Sequence, residues 1–441
     1  MRHVELELAA GEPQNLDGKR VLIFVVAYNA ETTIEKVLSR IPASLHQPGV
    51  EVLIIDDSSK DQTFAHSLRF QQQSSAFKIT ILRTPRNQGY GGNQKLGYRY
   101  AMDNGFDIVA LVHGDGQYAP EKLPALLAPL VQGDADAVFG SRMIDKAAAR
   151  AGGMPAYKWL GNQLLTQFQN RILGTHLSEF HTGYRLYATA ALAQVPFEKN
   201  TNDFHFDTEI IIQFVLKKLR IAELPIPTFY GDEICHVNGM KYACDVCKAT
   251  VKARLCGIHL FYDRKFDVSP GELPHSEKLD FPSSQSFAAN ACSPDRDVLQ
   301  LGIGHSNVAA ALVDRFCRVT AVDFIVNDIS EASSPTVPTP MPQTVGAYDY
   351  ILLMDLIEHL HDPERFMDEL RRKMNGRQPE VIITSANVAF FVTRVMLALG
   401  QFNYSKKGIL GLGHRRLFTF KSLRALLEQA GYEVLEQHGA S

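Results

Sequence analysis

A chain of 441 residues exceeds one ordinary hydrophobic core and is read as two or three domains. Its composition, 45% hydrophobic and 21% charged with a net charge of −3, is that of a globular protein with no basic excess for a nucleic-acid partner. Six cysteines in so long a chain make no disulfide framework, and no uncharged apolar run reaches the ~18 residues of a transmembrane helix.

The opening "MRHVELELAA" carries acids and lacks the apolar core of a signal peptide. Residues 1–18 are therefore read as an arm, and the chain is expected to stay in the cytoplasm. From Arg20 the pattern alternates. "RVLIFVVA", "EVLIIDD", "FKITILRT", "DIVALVHGD" and "DADAVFGSR" are short apolar runs, and the segments between them have helical character. Short buried strands separated by helices predict a parallel sheet with right-handed crossovers. Ligands of such sheets bind beyond the carboxyl ends of the strands, where Asp56, Asp57, His113, Asp115, Ser141 and Arg142 fall.

Several of these positions carry chemistry in their own right. In "LVHGDGQYAP" the residues His113, Asp115 and Gln117 alternate along an extended turn. An imidazole, a carboxylate and an amide oxygen can there converge on a divalent cation, Mn2+ in preference to Mg2+, unless His113 is only a turn residue. Gly89 and Gly91 precede a helix, where glycine allows close backbone approach and the helix N-terminus favours an anion; a tight turn is the other reading. Asp57-Ser58-Ser59 can cap the next helix. Asp207 and Glu209 are candidate general bases or the first-turn acids of a helix.

Further on, "NGMKYACDVCKATVKARLCG" reads as one helix. The spacing of Cys244 and Cys247 can hold zinc, but small core residues are the simpler account. Its lysines, arginines and aromatics suit an anionic membrane surface, or an ordinary amphipathic helix packed on the domain. Pro- and Ser-rich sequence over 267–294 marks a linker. A second α/β series fills 295–441: strands at "RDVLQLGIG", "RVTAVD", "YDYILLMD" and "EVIITS", and a last helix–strand pair ending near Glu436. The insert "SSPTVPTPMPQ" reads as a loop.

"VVAYNAETTIEKVL", "VLIIDDSSKDQT", "NQGYGGNQKLGYRYAMDNGFD", "HGDGQYAPEKLPALL", "FGSR" and "FHTGYRLY" occur in that order. Over residues 19–266 they resemble a family 2 glycosyltransferase of the GT-A fold, close to the dolichyl-phosphate mannose synthases. The resemblance implies a nucleotide-sugar donor, gripped by Asp56, Asp57 and the turn Tyr28-Asn29, and an inverting transfer. It implies Mg2+ or Mn2+ on the donor diphosphate, and Arg142 and Arg185 near the acceptor's phosphate. There are departures. Glu31 follows Ala30 where a pair of glutamates is usual, and His113 stands where the family's metal motif has its first aspartate.

"VLQLGIGHSNVAAAL", "VTAVD", "YDYILLMDLIEHLHDPERFMDEL" and "RLFTFKSLRALLEQAGYEV" resemble a class I S-adenosylmethionine methyltransferase. Gly302 and Gly304 would approach that cofactor and Asp323 would take its ribose, with Glu358 and His359 matching the loop after the fourth strand of the family. Three departures weigh against cofactor binding. Gln300 replaces an acid, a helix is missing after Asp323, and a final strand is expected beyond Ser441. An unpaired sheet edge calls for cover, by the glycosyltransferase half or by a second copy of the chain.

The expected fold class is α/β, with two Rossmann-like domains: a GT-A glycosyltransferase and a smaller, shortened methyltransferase-like domain. The leading function is metal-dependent sugar transfer to a lipid phosphate or cell-envelope glycan, at the inner face of the membrane. The alternatives are a bifunctional glycosyltransferase and methyltransferase, and a non-catalytic nucleotide-sugar-binding scaffold.

Overall fold

A computed structural model of the chain describes residues 14–74, 77–228, 238–258, 261–268, 283–302, 307–323, 345–404 and 408–439. It divides into two compact units, Met1–Gly257 with Asp263–Glu272, and Ile258–Tyr262 with Leu273–Ser441.

The first unit begins with β1 (Val21–Ala27), α1 (Ile34–Ser39), β2 (Val50–Asp56), α2 (Thr63–Gln73), β3 (Lys78–Arg83), α3 (Tyr90–Asp103) and β4 (Ile108–His113). It continues with α4 (Leu123–Val131), β5 (Ala137–Ser141), α5 (Lys146–Ala151), α6 (Ala156–Leu173), β6 (Arg185–Ala188) and α7 (Thr189–Leu192). It closes with α8 (Phe206–Leu216), β7 (Ile221–Pro225) and α9 (Gly239–Gly257). The sheet order is β3-β2-β1-β4-β6-β5-β7. β1 and β4 are apolar almost throughout because both their faces are covered. One core cluster, around Ile23, Val52 and Leu126, lies on one side, and a second, around Phe24, Tyr98 and Phe139, on the other.

The sheet is not the wholly parallel one that the sequence pattern predicts. β6 runs antiparallel to both β4 and β5, between which it is inserted. Only four residues long, it returns after α6 and not through a helical crossover of its own, which the alternation of apolar runs did not reveal. The parallel strands are in step: Ala27 pairs with Asp56, Asp56 with Arg83, and Val26 with His113. The loops after β1, β2, β3 and β4 therefore leave the sheet along one edge.

α9 forms as expected, with Val246, Ala249, Thr250 and Ala253 turned inward and packed near Ile212 and Phe266. That is the packed amphipathic helix. Its cysteines are free, and Cys244 is exposed where a core residue was expected; Cys235 lies outside the described residues.

The second unit contains α10 (Ser284–Ala291), β8 (Asp297–Gly302), α11 (Asn307–Asp314), β9 (Arg318–Asp323) and β10 (Tyr350–Met354). It continues with α12 (Pro363–Lys373), β11 (Glu380–Ile383), α13 (Phe391–Ala398) and α14 (Phe420–Gln429). The strands are parallel in the order β11-β10-β8-β9. α10 falls within the stretch read as linker. Ser283 and Ser286 form a capping box at its start, and Ala288, Ala289 and Cys292 pack against Val308 and Leu312. The expected last strand is not formed: residues 432–439 have no regular structure, since no strand pairs with them among the described residues. The Pro-rich insert lies outside the described residues.

Candidate active site

The loop after β1 is laced to the loop after β2. The Asn29 amide donates to Ser59 Oγ at 2.9 Å, its side-chain oxygen accepts from the Lys60 amide at 3.0 Å, and the Glu31 carboxylate accepts from the Gln62 amide at 2.9 Å. Asn29 holds φ +48°, a left-handed conformation that asparagine tolerates. Tyr28 is left pointing outward, exposed. Asp56 is buried; it accepts from the Ser59 amide at 3.1 Å and pairs with Arg83 Nε at 3.2 Å. Asp57 does not cap α2. One of its oxygens accepts from Thr84 Oγ1 and from the Gln88 amide, both at 2.8 Å, which fixes the loop leading to α3.

Gly89 is the N-cap of α3, and Gly91 lies inside its first turn and not before the helix as expected; both glycines have a reason inside the protein. A Cβ on Gly89, whose φ is +78°, would lie 2.6 Å from the Asn202 carbonyl oxygen, and one on Gly91 would lie 2.5 Å from that of Thr201. The Gly91 amide donates to Asn202 O at 2.9 Å. The close approach that glycine permits is thus taken up by the segment leading to α8.

At the end of β4, His113 lies edge-on between Tyr90 and Tyr118, with ring centroids 5.6 and 5.0 Å away. Its Nε2 is 3.2 Å from Tyr90 Oη, which donates to Asp207 Oδ2 at 2.9 Å. With the phenol proton on Asp207, the imidazole is left to donate from Nε2, so that nitrogen does not offer a lone pair to a cation. Burial lowers the pKa of His113 from 6.5, against the pull of Asp115 and Asp207, and keeps the ring neutral at pH 7. Two residues on, Asp115 is exposed, and its Oδ1 accepts from the Gln117 amide at 3.0 Å. Asp115 could therefore hold a cation with its exposed carboxylate, and His113, whose Nε2 is turned to Tyr90, could add only Nδ1.

The two arginines differ. Arg142 keeps 12% of its side-chain surface exposed. It grips the buried carboxylate of Glu179 through its backbone amide at 2.8 Å, its Nε at 3.1 Å and its Nη2. Asn162 of α6 adds a fourth donor to Glu179 at 2.8 Å. Burial alone would raise the pKa of Glu179; the Arg142 guanidinium and these hydrogen bonds override it and hold the carboxyl below its ordinary value. Arg185 is fully buried, donating to the carbonyls of Thr182, Asp207 and Phe180 at 2.7, 2.7 and 3.0 Å. It closes the fold under Asp207 and is not turned to a ligand.

Asp207 and Glu209 are both buried at the start of α8, and neither caps it. Asp207 accepts from Tyr90 and, at 3.1 Å, from Gln94 Nε2. Glu209 accepts from the Thr201 amide at 2.7 Å and from Lys265 Nζ. Sequence reasoning missed Glu179, Tyr90 and Tyr118. Only the position of Glu179 just before "FHTGYRLY" hinted at it. Among the described residues, one further group of possible cation ligands is Asp203, His205 and Asp245, where Lys241 Nζ already sits 2.7 Å from Asp203.

In the second unit, Gly302 ends β8, where a Cβ would lie 3.3 Å from Met354 O. Asp323 ends β9; Gly304 and the side chain of Asp323 lie outside the described residues. Glu358 is buried in the wall of an open cavity and accepts from the Ala386 amide at 3.3 Å; burial pushes its pKa up to about 7. His359 Nδ1 is 2.9 Å from Gly413 O, and its ring centroid is 4.9 Å from that of His414.

Residues 22–195 match the family model for glycosyl transferase family 2, and residues 278–437 match a methyltransferase domain. The first unit thus carries a family 2 glycosyltransferase domain, on which a methyltransferase-like domain follows in the chain. A UDP-N-acetylglucosamine–dolichyl-phosphate N-acetylglucosaminyltransferase of Methanococcus voltae is 26% identical over 48% of this chain and 87% of that protein. An undecaprenyl-phosphate mannosyltransferase of Micrococcus luteus is 27% identical over 49% and 85%. A polyprenol monophosphomannose synthase of Mycolicibacterium smegmatis is 23% identical over 52% and 85%. A solved structure of glucosyl-3-phosphoglycerate synthase from Mycobacterium tuberculosis aligns at a TM-score of 0.43 and 18% identity, over 58% of this chain and 87% of that one.

Proposed function

We propose that the first unit transfers a sugar from a nucleotide-sugar donor to a lipid phosphate of the polyprenyl type, with inversion at the anomeric carbon. The observation that carries this reading is the state of the two candidate bases. Asp207 and Glu209 are buried and already hydrogen-bonded. A hydroxyl acceptor needs a base to take its proton; a phosphate oxygen is already ionised and does not. Three relatives whose names carry dolichyl, undecaprenyl and polyprenol acceptors agree with it.

In this reading Tyr28, Asn29, Asp56 and Asp57 line the nucleotide side, at the carboxyl edge of β1 and β2. Asp115 and Gln117 hold a divalent cation, which would neutralise charge building on the departing diphosphate. Arg142, oriented by Glu179, is the guanidinium that an acceptor phosphate reaches. The phosphate oxygen bonds to the anomeric carbon as the bond from that carbon to the nucleoside diphosphate breaks, and no proton is transferred.

The test is a panel of nucleotide sugars with Mn2+ or Mg2+, scored for released nucleotide in the presence of a short-chain polyprenyl phosphate or of the matching alcohol. Release is expected with the phosphate only. Equal turnover of the alcohol would sink the reading.

A further inference from the structure

β7 carries an acid in the middle of an apolar run, "IAELPIP". Ala222 and Leu224 pack on one face of the sheet, against the core around Ile23, and Glu223 points to the other. β7 is an edge strand, and Glu223 is in register with Phe139 of β5. From there its half-buried carboxylate reaches the segment between α6 and β6. One oxygen accepts from the Ser178 amide at 2.7 Å; the other accepts from Ser178 Oγ at 2.7 Å and from the Glu179 amide at 3.1 Å.

These bonds bear on Arg142 by two routes. The first runs through the acid that grips it. Glu223 holds the backbone of Glu179, and the Glu179 carboxylate holds the Arg142 amide, Nε and Nη2. The second runs through hydroxyls. Ser178 Oγ has one proton, and it goes to Glu223. In its 2.7 Å contact with Ser141 Oγ, Ser178 is therefore the acceptor and Ser141 the donor. Ser141 Oγ in turn accepts from the Met143 amide at 3.1 Å. The neighbours of Arg142 on both sides in the chain are thus tied to the same carboxylate as its side chain. Folding does not profit from the charge on that carboxylate. Burial raises the pKa of Glu223 above its ordinary 4.5, and the three hydrogen bonds do not cancel the rise.

We propose that Glu223 is a positioning residue for sugar transfer: by seating Ser178 and Glu179 from β7, it sets the direction in which Arg142 meets the acceptor phosphate. The inference rests on the lipid-phosphate reading for the role of Arg142. A guanidinium holds phosphate oxygens through paired N–H donors in one plane, so a tilt of that plane loses the fork. Asn162 and the His181 carbonyl steady the outer end of the Glu179–Arg142 pair, and Glu223 steadies the backbone from which Glu179 projects. With glutamine at 223 one oxygen becomes an amide nitrogen that cannot accept. Either the Ser178 amide or the Glu179 amide then faces a donor, and the seat of Glu179 is lost on that side.

The full-length protein is titrated with farnesyl phosphate by calorimetry. Arg142 is followed through its Nε–H signal in a proton–nitrogen spectrum, identified by its loss in Arg142→Lys. Glu223→Gln should weaken farnesyl phosphate binding about tenfold and speed exchange of the Arg142 Nε–H by a similar factor. Its unfolding midpoint should stay near that of the parent, which a merely structural role would not allow. In nucleotide release the KM of the acceptor should rise and that of the donor should not. Ser178→Ala cuts the hydroxyl route alone and keeps both amides on Glu223; it should weaken binding about threefold, and it stands in if Glu223→Gln does not fold. In an Arg142→Ala background Glu223→Gln should cost nothing further, because it acts through that arginine. Parent affinity or parent Nε–H exchange in Glu223→Gln would overturn the proposal. So would losses that add in the double variant. Weakened binding in Arg142→Ala with none in Glu223→Gln strikes this inference alone. No binding by the parent, or full binding by Arg142→Ala, strikes the reading on which it rests.

Discussion

Replacing Glu179 with glutamine tests whether the Arg142 site is held by charge or by shape. Glutamine has almost the same volume, so no cavity opens. What changes is that four donors, from the Arg142 amide, Nε and Nη2 and from Asn162, converge on a group with one neutral oxygen and one amide nitrogen that cannot accept. The guanidinium, 12% exposed, loses its counter-charge. Hydrogen bonds to a charged group contribute about 1.5–3 kcal/mol each, and breaking a buried pair from one side costs about 3–5 kcal/mol. Because Arg142 keeps some water, the lower end applies, and the first unit should lose about 3 kcal/mol. Urea unfolding of parent and variant at pH 7, followed by hydrogen exchange in 139–186 to isolate this unit, measures it. The pH dependence has a definite sign. The folded-state pKa of Glu179 lies below its ordinary 4.5. The carboxylate's stabilisation is therefore complete above pH 4.5 and is lost as pH falls through the lower folded value. The gap between parent and variant should be constant from neutral pH to 4.5 and close below it. A gap under about 1 kcal/mol at pH 7, or one that widens on acidification, would refute the reasoning.

Other outcomes follow from the same geometry. Asp115→Asn should abolish nucleotide release with either metal while leaving the unfolding curve within about 0.5 kcal/mol, because the side chain is exposed; unchanged turnover ends the cation assignment. His113→Asp should leave the Mn2+ to Mg2+ preference of nucleotide release nearly unaltered, since the ring faces Tyr90; a clear swing toward Mg2+ would restore His113 as a ligand. Burial lowers the pKa of His181 from 6.5 to about 4, so folding of the parent should weaken as pH falls from 6.5 to 4, and His181→Gln should flatten that slope in a series of melting curves. S-adenosylmethionine should bind weakly at best, and calorimetry that finds a micromolar site removed by Asp323→Ala would instead make the second unit an active methyltransferase.

Much of the fold was readable because burial on both sides of a parallel strand leaves a nearly unbroken apolar run. β1, β2 and β4 are such runs, and the acids and histidine at their ends had to fall on one edge. β6 escaped notice because four residues of mixed character leave no periodic trace, and its antiparallel setting depends on where α6 delivers the chain. The site was readable by residue and not by role. Arg142 and Arg185 look alike in sequence, yet one is kept near the surface by an acid 37 residues away and the other is swallowed by three carbonyls. Those pairings are tertiary, and local spacing holds no record of them. The glycines at the start of α3 show the same limit. Their tolerance of close contact was legible, but the contact was with the chain itself.

That last contact bears on how the two substrates would sense each other. Asp57 anchors the Gln88 amide, the Gly91 amide is anchored to Asn202, Lys95 to the carbonyl of Asn200, and Tyr90 to Asp207. With no Cβ at 89 or 91 to act as a spacer, the start of α3 and the segment that opens α8 are clamped backbone to backbone. A shift of one would press on the other. A ligand that tightens the loop after β3 would therefore reset Asp207, and with it Tyr90 and His113, before any second substrate arrived. Ordered binding, donor first, would then need no hinge and no lid, only a missing methyl group at two positions.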